Sequence, residues 1–232
     1  MNYFISEHFD TKIYKDKSIL ILGGGPSTNE VKWENLEYDY IWSCTNFFMN
    51  ERITSQNIDL GTLGNLQNFS DKRLLNYLDN NNNLKILIEL DYLYSDTISK
   101  NRKFFDVYEE RIYYGRCSKE YSTFVGPPAR LMMLACTLQV SKIYFAGIDG
   151  YDENMKNAHS FTNATGINSD STLNNYKLWH DAMTSFTDRI WNDFKHTIDF
   201  FNLGEAAECF NIPSFISKEK FPLPKEIYEK LK

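Results

Sequence analysis

The stretch Ser18-Ile19-Leu20-Ile21-Leu22-Gly23-Gly24-Gly25-Pro26-Ser27 decides how this chain is read. Ile19 to Leu22 is an apolar run of strand length. It breaks into three glycines, a proline and a serine. Glycine admits positive φ and close approach to the backbone. Proline fits the first helical position, where its missing N–H costs nothing, and Ser27 or Thr28 can cap the helix that follows. A buried strand that delivers a glycine turn to a helix start aims bare N–H groups at one point, which attracts an anion. The expectation is a nucleotide phosphate at Gly23, Gly24, Gly25, Pro26 and Ser27. The alternative is a tight strand-to-helix connection with no ligand. Two common phosphate motifs are excluded. Position 28 is threonine where the dinucleotide fingerprint needs a glycine, and no Gly-Lys-Ser/Thr follows as in a P-loop.

Outward from that turn, strand-like and helix-like segments alternate. Tyr40–Cys44, Ile58–Leu63, Leu84–Leu90, Lys142–Asp149 and Thr197–Leu203 read as further strands. Ser27–Leu36 reads as a short helix or turn and Asp71–Leu78 as a helix. Pro127–Leu138 is apolar on nearly every side, as a central buried helix is. Leu178, Met183, Phe186, Ile190 and Trp191 recur at helical spacing within Leu173–Phe194. The alternation predicts an α/β fold, a mostly parallel sheet with helices on both faces. In such sheets ligands bind beyond the carboxyl ends of the strands. Gly23–Ser27, Thr45 with Asn46, Asn65 and Asp149 all fall there. In a single domain over 1–232, segment 91–121, rich in Tyr, Arg and Lys, reads as a lid or a helical insert, and 151–171 as a lid piece because it is long, polar and without periodicity.

The chain has 232 residues, 42% of them hydrophobic, and a net charge of −6. That length buries a sizeable core without staples, and that charge argues against non-specific nucleic-acid binding, which basic surface drives. Cys44, Cys117, Cys136 and Cys209 are far apart and form no Cys-x-x-Cys, so neither zinc nor a disulfide framework is indicated. The expectation is reduced thiols in a cytoplasmic protein. No run is long enough to cross a membrane, and the first residues do not read as a signal peptide. The lysine- and glutamate-rich tail, 218–232, reads as a solvated helix. Peripheral contact with the inner face of the membrane is an alternative for it. Phe47, Phe48 and Phe69 are candidate residues for a homo-oligomer interface.

Gly-Gly-Gly-Pro-Ser after the first strand, Cys-Thr-Asn-Phe-Phe after the second, Gly-Asn after the third and Ile-Tyr-Phe-Ala-Gly-Ile-Asp-Gly-Tyr late in the chain resemble the family-42 bacterial sialyltransferases. They also resemble the wider superfamily of motility-associated glycosyltransferases and 6-hydroxymethyl-dihydropterin diphosphokinase-like proteins. The resemblance runs roughly from Ser18 to Phe215. It implies a Rossmann-like sheet with a small lid insertion, a CMP-linked sialic-acid-like donor, a glycan acceptor, and no metal or other cofactor. It puts Gly24, Gly25, Pro26 and Ser27 against the donor phosphate and Asn65 where the family contacts the nucleotide. Thr45 aligns with a second such asparagine, with Asn46 one place later. Tyr151 matches a tyrosine that stabilises the leaving phosphate, in a Gly-Ile-Asp-x-Tyr segment that includes Asp149. The chain departs from the family at Gly24, where the family has asparagine, and at Pro127-Pro128, which replace a Ser-Gly. The family's arginine just before that point is absent, with Arg130 close by.

Transfer of a sugar from a nucleotide needs a neutralised phosphate, a base for the acceptor hydroxyl and exclusion of water. No Asp-x-Asp occurs, so a metal clamp is unsupported. Helix amides, Tyr151 and Arg130 are the candidates for neutralising the phosphate. The base candidates are His159, in the polar loop, and His180, in register with the family's catalytic histidine; histidine titrates near working pH. Either could instead be an ordinary loop or helix-face residue. Two rival functions remain. One is an ATP- and magnesium-dependent pterin diphosphokinase-like enzyme, in which Asp149 and Asp152 would hold the metal. The other is a nucleotide-binding module without turnover.

Overall fold

The computed structural model describes residues 9–63, 69–89, 96–117, 125–149, 176–207, 216 and 219–232. Seven strands form one sheet: β1 Ser18–Leu22, β2 Tyr40–Cys44, β3 Leu60–Leu63, β4 Lys85–Glu89, β5 Ile112–Gly115, β6 Lys142–Ala146 and β7 Asp199–Asn202. Their order is β5-β4-β3-β2-β1-β6-β7, and every pairing between them is parallel. The chain winds outward from β1 to β5, then returns to lay β6 on the other side of β1. That reversal makes the crevice between the carboxyl ends of β1 and β6 the topological switch point.

The helices are α1 Ser27–Glu30, α2 Glu51–Thr54, α3 Lys72–Asn80, α4 Thr97–Lys100, α5 Arg102–Val107, α6 Pro127–Thr137, α7 Tyr176–Phe194 and α8 Lys225–Lys230. Side chains alternate between the two faces of each strand, and both faces here are covered. Ile19 and Ile21 of β1, Trp42 of β2 and Phe145 of β6 pack with Leu131 and Leu134 of α6 and with Met183, Phe186 and Ile190 of α7. Leu20 and Leu22, one residue out of phase, face Leu74 and Leu78 of α3 and Phe104 and Phe105 of α5. A parallel sheet buried on both sides needs apolar residues in nearly every strand position, which is why the strands read as continuous hydrophobic runs. Every residue from Ala129 to Cys136 of α6 is buried, as its all-round apolar character predicts.

Two local expectations change. Within 91–121, read as a lid or a helical insert, 112–115 is the edge strand β5, and Phe104 and Phe105 of α5 are core residues. The strand is short and its two tyrosines are only half-buried, so no clear two-residue alternation marks it. The short helix or turn expected over Ser27–Leu36 is one helical turn followed by a 3-10 turn at Trp33–Asn35. Arg52 collects the carbonyls this early stop leaves open, donating to Thr28, Asn29 and Val31 at 3.1, 2.7 and 2.6 Å, while its guanidinium lies over the Trp33 ring. Phe47, Phe48 and Phe69 are buried in the chain's own core at 2%, 4% and 3% exposure, so they present no interface. No helix among the described residues is long and apolar enough to cross a membrane.

Candidate functional site

Loops leaving β1 and β6 are bound to each other at the switch point. The Gly23 amide donates to the Ala146 carbonyl at 2.8 Å and the Gly25 amide to the Gly147 carbonyl at 2.9 Å. The Ser27 amide donates to Asp149 Oδ2 at 2.8 Å and the Ser27 hydroxyl to Asp149 Oδ1 at 2.6 Å. The Gly147 amide donates back to Ser27 Oγ at 2.7 Å. This arrangement explains the glycines. Gly147 has φ +71°, and a Cβ on it would land on Thr28 Oγ1; a Cβ on Gly25 would land on the Asp149 carboxylate. The sequence reading expected bare amides converging on a ligand. Instead the amides of Gly23, Gly25 and Ser27 have partners within the chain, and half-buried Gly24 and Pro26 are what the turn presents outward.

Asp149 therefore lies in the loop after β6, at the expected rim, and is bound to Ser27. Desolvation raises its pKa above the usual aspartate range, the two Ser27 hydrogen bonds oppose that rise, and Glu30 adds to it. Beside it, Asn202 at the end of β7 is 3% exposed. Its Oδ1 accepts from the Gly204 amide at 3.2 Å, and its Nδ2 has no hydrogen-bond partner among the described residues.

At the end of β2, Thr45 and Asn46 lie half-buried on the same edge of the sheet. Thr45 has φ +51°, a left-handed conformation in which a β-branched residue is an outlier. Its amide reaches the Thr62 carbonyl at 2.7 Å, carrying the β2–β3 pairing one residue further.

A second polar cluster caps the core under α6. Arg130, in the first turn of α6, forms an ion pair with Glu89, the last residue of β4, with side chains 3% and 4% exposed. Cys117 hydrogen-bonds Glu89, and its thiol pKa is pushed well up, chiefly by burial. Burial pushes Cys44 up to about 12. Arg130 is thus held inside the fold by a carboxylate, and not on the open rim where the sequence reading placed a phosphate contact. The partner was missed although it left a signal: Glu89 is a charged residue at the end of an otherwise apolar strand.

His180 lies in the first turns of α7. The Gly126 amide, just before α6, donates to Met183 Sδ at 3.0 Å, which ties this part of α7 to the carboxyl edge of the sheet. His180 is half-buried and lines a groove of about 590 Å³ with Asp181, Thr184, Ser185, Asp188 and Arg189. Asn65, Tyr151 and His159 lie outside the described residues, as does Asp152. Among the described residues no group of three or more His, Cys, Asp or Glu side chains is placed to hold a metal ion.

No family model matches the chain, and no curated protein does. Solved structures do. Sialyltransferase CstII from Campylobacter jejuni, in complex with cytidine-5'-monophosphate, is 16% identical, with a TM-score of 0.58 over 92% of this chain and 87% of that one. The same enzyme with CMP-3FNeuAc gives 16% and 0.58 over 91% and 88%. The monofunctional alpha-2,3-sialyltransferase Cst-I of the same organism gives 16% and 0.62 over 91% and 82%. At that identity the likeness is one of fold, and it extends over nearly the whole of each chain.

Proposed function

We propose that this chain is a glycosyltransferase that moves a sialic-acid-like sugar from a nucleotide donor, CMP-linked, to a glycan hydroxyl without a metal. The observation that carries the reading is the end-to-end likeness to a sialyltransferase solved with cytidine-5'-monophosphate, on a sheet whose switch point joins the β1 turn to Asp149 through Ser27. In the reaction the bond from the anomeric carbon to the donor phosphate breaks, a bond to the acceptor oxygen forms, and the acceptor's proton passes to a base. His180, half-buried in the first turns of α7, is one candidate for that base and His159 the other. Tyr151 is the proposed hydrogen-bond donor to the departing phosphate. Thr45, Asn46 and Asn65 complete the donor side. Arg130 acts at one remove, fixing the first turn of α6 through Glu89.

A thermal-shift comparison of CMP, UDP, GDP and ATP tests the reading, because a ligand of the native state raises the melting temperature by mass action. CMP is expected to give the largest shift, and a CMP-sugar donor is expected to turn over equally with and without EDTA. A shift with ATP alone, dependent on magnesium, would overturn the reading. The second reading is a nucleotide-binding module without turnover. The burial of Arg130 and the engagement of the turn's amides favour it. Binding of CMP with neither transfer nor donor hydrolysis would select it.

A further inference from the structure

The position given to a donor phosphate is held by the chain's own carboxylate. Both Asp149 oxygens accept from Ser27, at 2.8 and 2.6 Å, and Ser27 is fully buried. Among the described residues no cation offsets the Asp149 charge. The elements packed around it carry Glu30 on α1 and Glu205 in the turn after β7, both acidic. Lys232 is near that turn, but its ammonium is hydrogen-bonded to the Ala206 carbonyl. An anion at Gly24 and Pro26 is separated from this carboxylate by Gly25, on which a Cβ would land on Asp149 Oδ2. Like charges brought together disfavour joint ionisation.

We propose that binding of a phosphate-bearing ligand at the β1 turn is coupled to uptake of a proton by Asp149. This rests on the nucleotide-donor reading and adds the regulation of the same site. The proton comes from solvent and ends on one Asp149 oxygen. The neutral carboxyl keeps part of the clasp: its carbonyl oxygen still accepts from the Ser27 amide and its O–H donates to Ser27 Oγ, while the Ser27 hydroxyl hydrogen gives up Asp149 as its acceptor. The repulsion facing the ligand is gone.

Calorimetric titration of the full chain with cytidine 5′-methylphosphate tests this, because a phosphodiester keeps one negative charge from pH 5.5 to 8. Runs in two buffers of different ionisation enthalpy count the protons. Wild type is expected to take up protons on binding, with affinity rising as pH falls by up to about tenfold per pH unit. Asp149→Asn, an uncharged isostere, is expected to bind at least as tightly as wild type at the acid end and to lose that component of the uptake. His180 and His159 remain in the variant, so their titration cancels in the difference. Ser27→Ala removes a bond that stabilises the ionised carboxylate and is expected to move the coupling to higher pH; it serves if Asp149→Asn fails to fold. Wild-type binding without uptake, unchanged uptake in Asp149→Asn, or weaker binding by that variant would overturn the coupling and leave the donor reading standing. Folded wild type that binds the probe at no pH would overturn both.

Discussion

Removing the carboxylate of Glu89 is expected to be among the most damaging single substitutions in this chain. The magnitude follows from burial. Glu89 and Arg130 are paired with side chains 3% and 4% exposed, so neither charge is hydrated to any useful extent. An exposed ion pair contributes about 0–1 kcal/mol. Deleting one partner of a buried pair costs about 3–5 kcal/mol, because the other charge stays buried without compensation. For Glu89→Gln the guanidinium loses its carboxylate between the apolar α6 layer and the sheet. At about 2–4 °C per kcal/mol for a chain of this size, the melting temperature should fall by roughly 6–20 °C. The double variant Glu89→Leu/Arg130→Met removes both charges, and such replacements of buried pairs are about neutral or stabilising. It should therefore recover most of the loss, which urea denaturation of wild type, Glu89→Leu, Arg130→Met and the double variant would measure. The same double variant decides what Arg130 does. A positioning role lets it retain nucleotide binding once stability is restored, whereas a direct phosphate contact would make it bind poorly however stable it is. A cost below about 1 kcal/mol for Glu89→Gln would mean that water reaches the pair, and the account of a sealed cluster under α6 would be refuted.

Thr45→Gly should stabilise the chain slightly. A left-handed L-residue costs roughly 1–2 kcal/mol and glycine's greater unfolded-state freedom returns roughly 0.5–1 of that, so a loss of stability in urea would show that the Thr45 bond to Cys44 outweighs the strain. Gly147→Ala should cost about 2–5 kcal/mol, summing a positive φ and an overpacked contact with Thr28. Gly126→Ala is its control, since a Cβ there meets nothing nearer than 3.7 Å, and urea titration should find it within about 0.5 kcal/mol of wild type. Cys44, Cys117 and Cys136 are buried with raised pKa values. At pH 8 a thiol reagent should label none of the three in the native chain and all three in denaturant, as assigned by peptide mass.

The sheet was legible because its strands are buried on both faces, so Ile19–Leu22 and Ile143–Ala146 stand out as apolar runs ended by glycine. β5 was not, because Tyr113 and Tyr114 on a sheet edge are half-buried and give no periodic signal. The rim was legible in position and less so in chemistry. Composition located Gly23–Ser27 and Asp149 at the same edge, 122 residues apart in sequence, but it could not say that they bond each other. A glycine that makes room for a ligand and one that makes room for the chain's own carbonyl look identical in sequence. Only the neighbour built against the missing Cβ separates the two, and at Gly25 that neighbour is Asp149. The same logic governs Arg130. Its position near the family arginine favoured a ligand contact, yet it is followed by Leu131, Met132, Met133 and Leu134 in a helix buried all round. A cation on such a helix needs a buried anion, and Glu89 at the end of β4 supplies it. Among the described residues, those at the open edge are Gly24 and Pro26 from the turn and Thr45 and Asn46 after β2, with Asp149 behind them and no cation beside its carboxylate. A site of that composition places the burden of neutralising a phosphate on residues beyond the β1 turn, and it makes the ionisation of Asp149 the term that sets how well any anion is received.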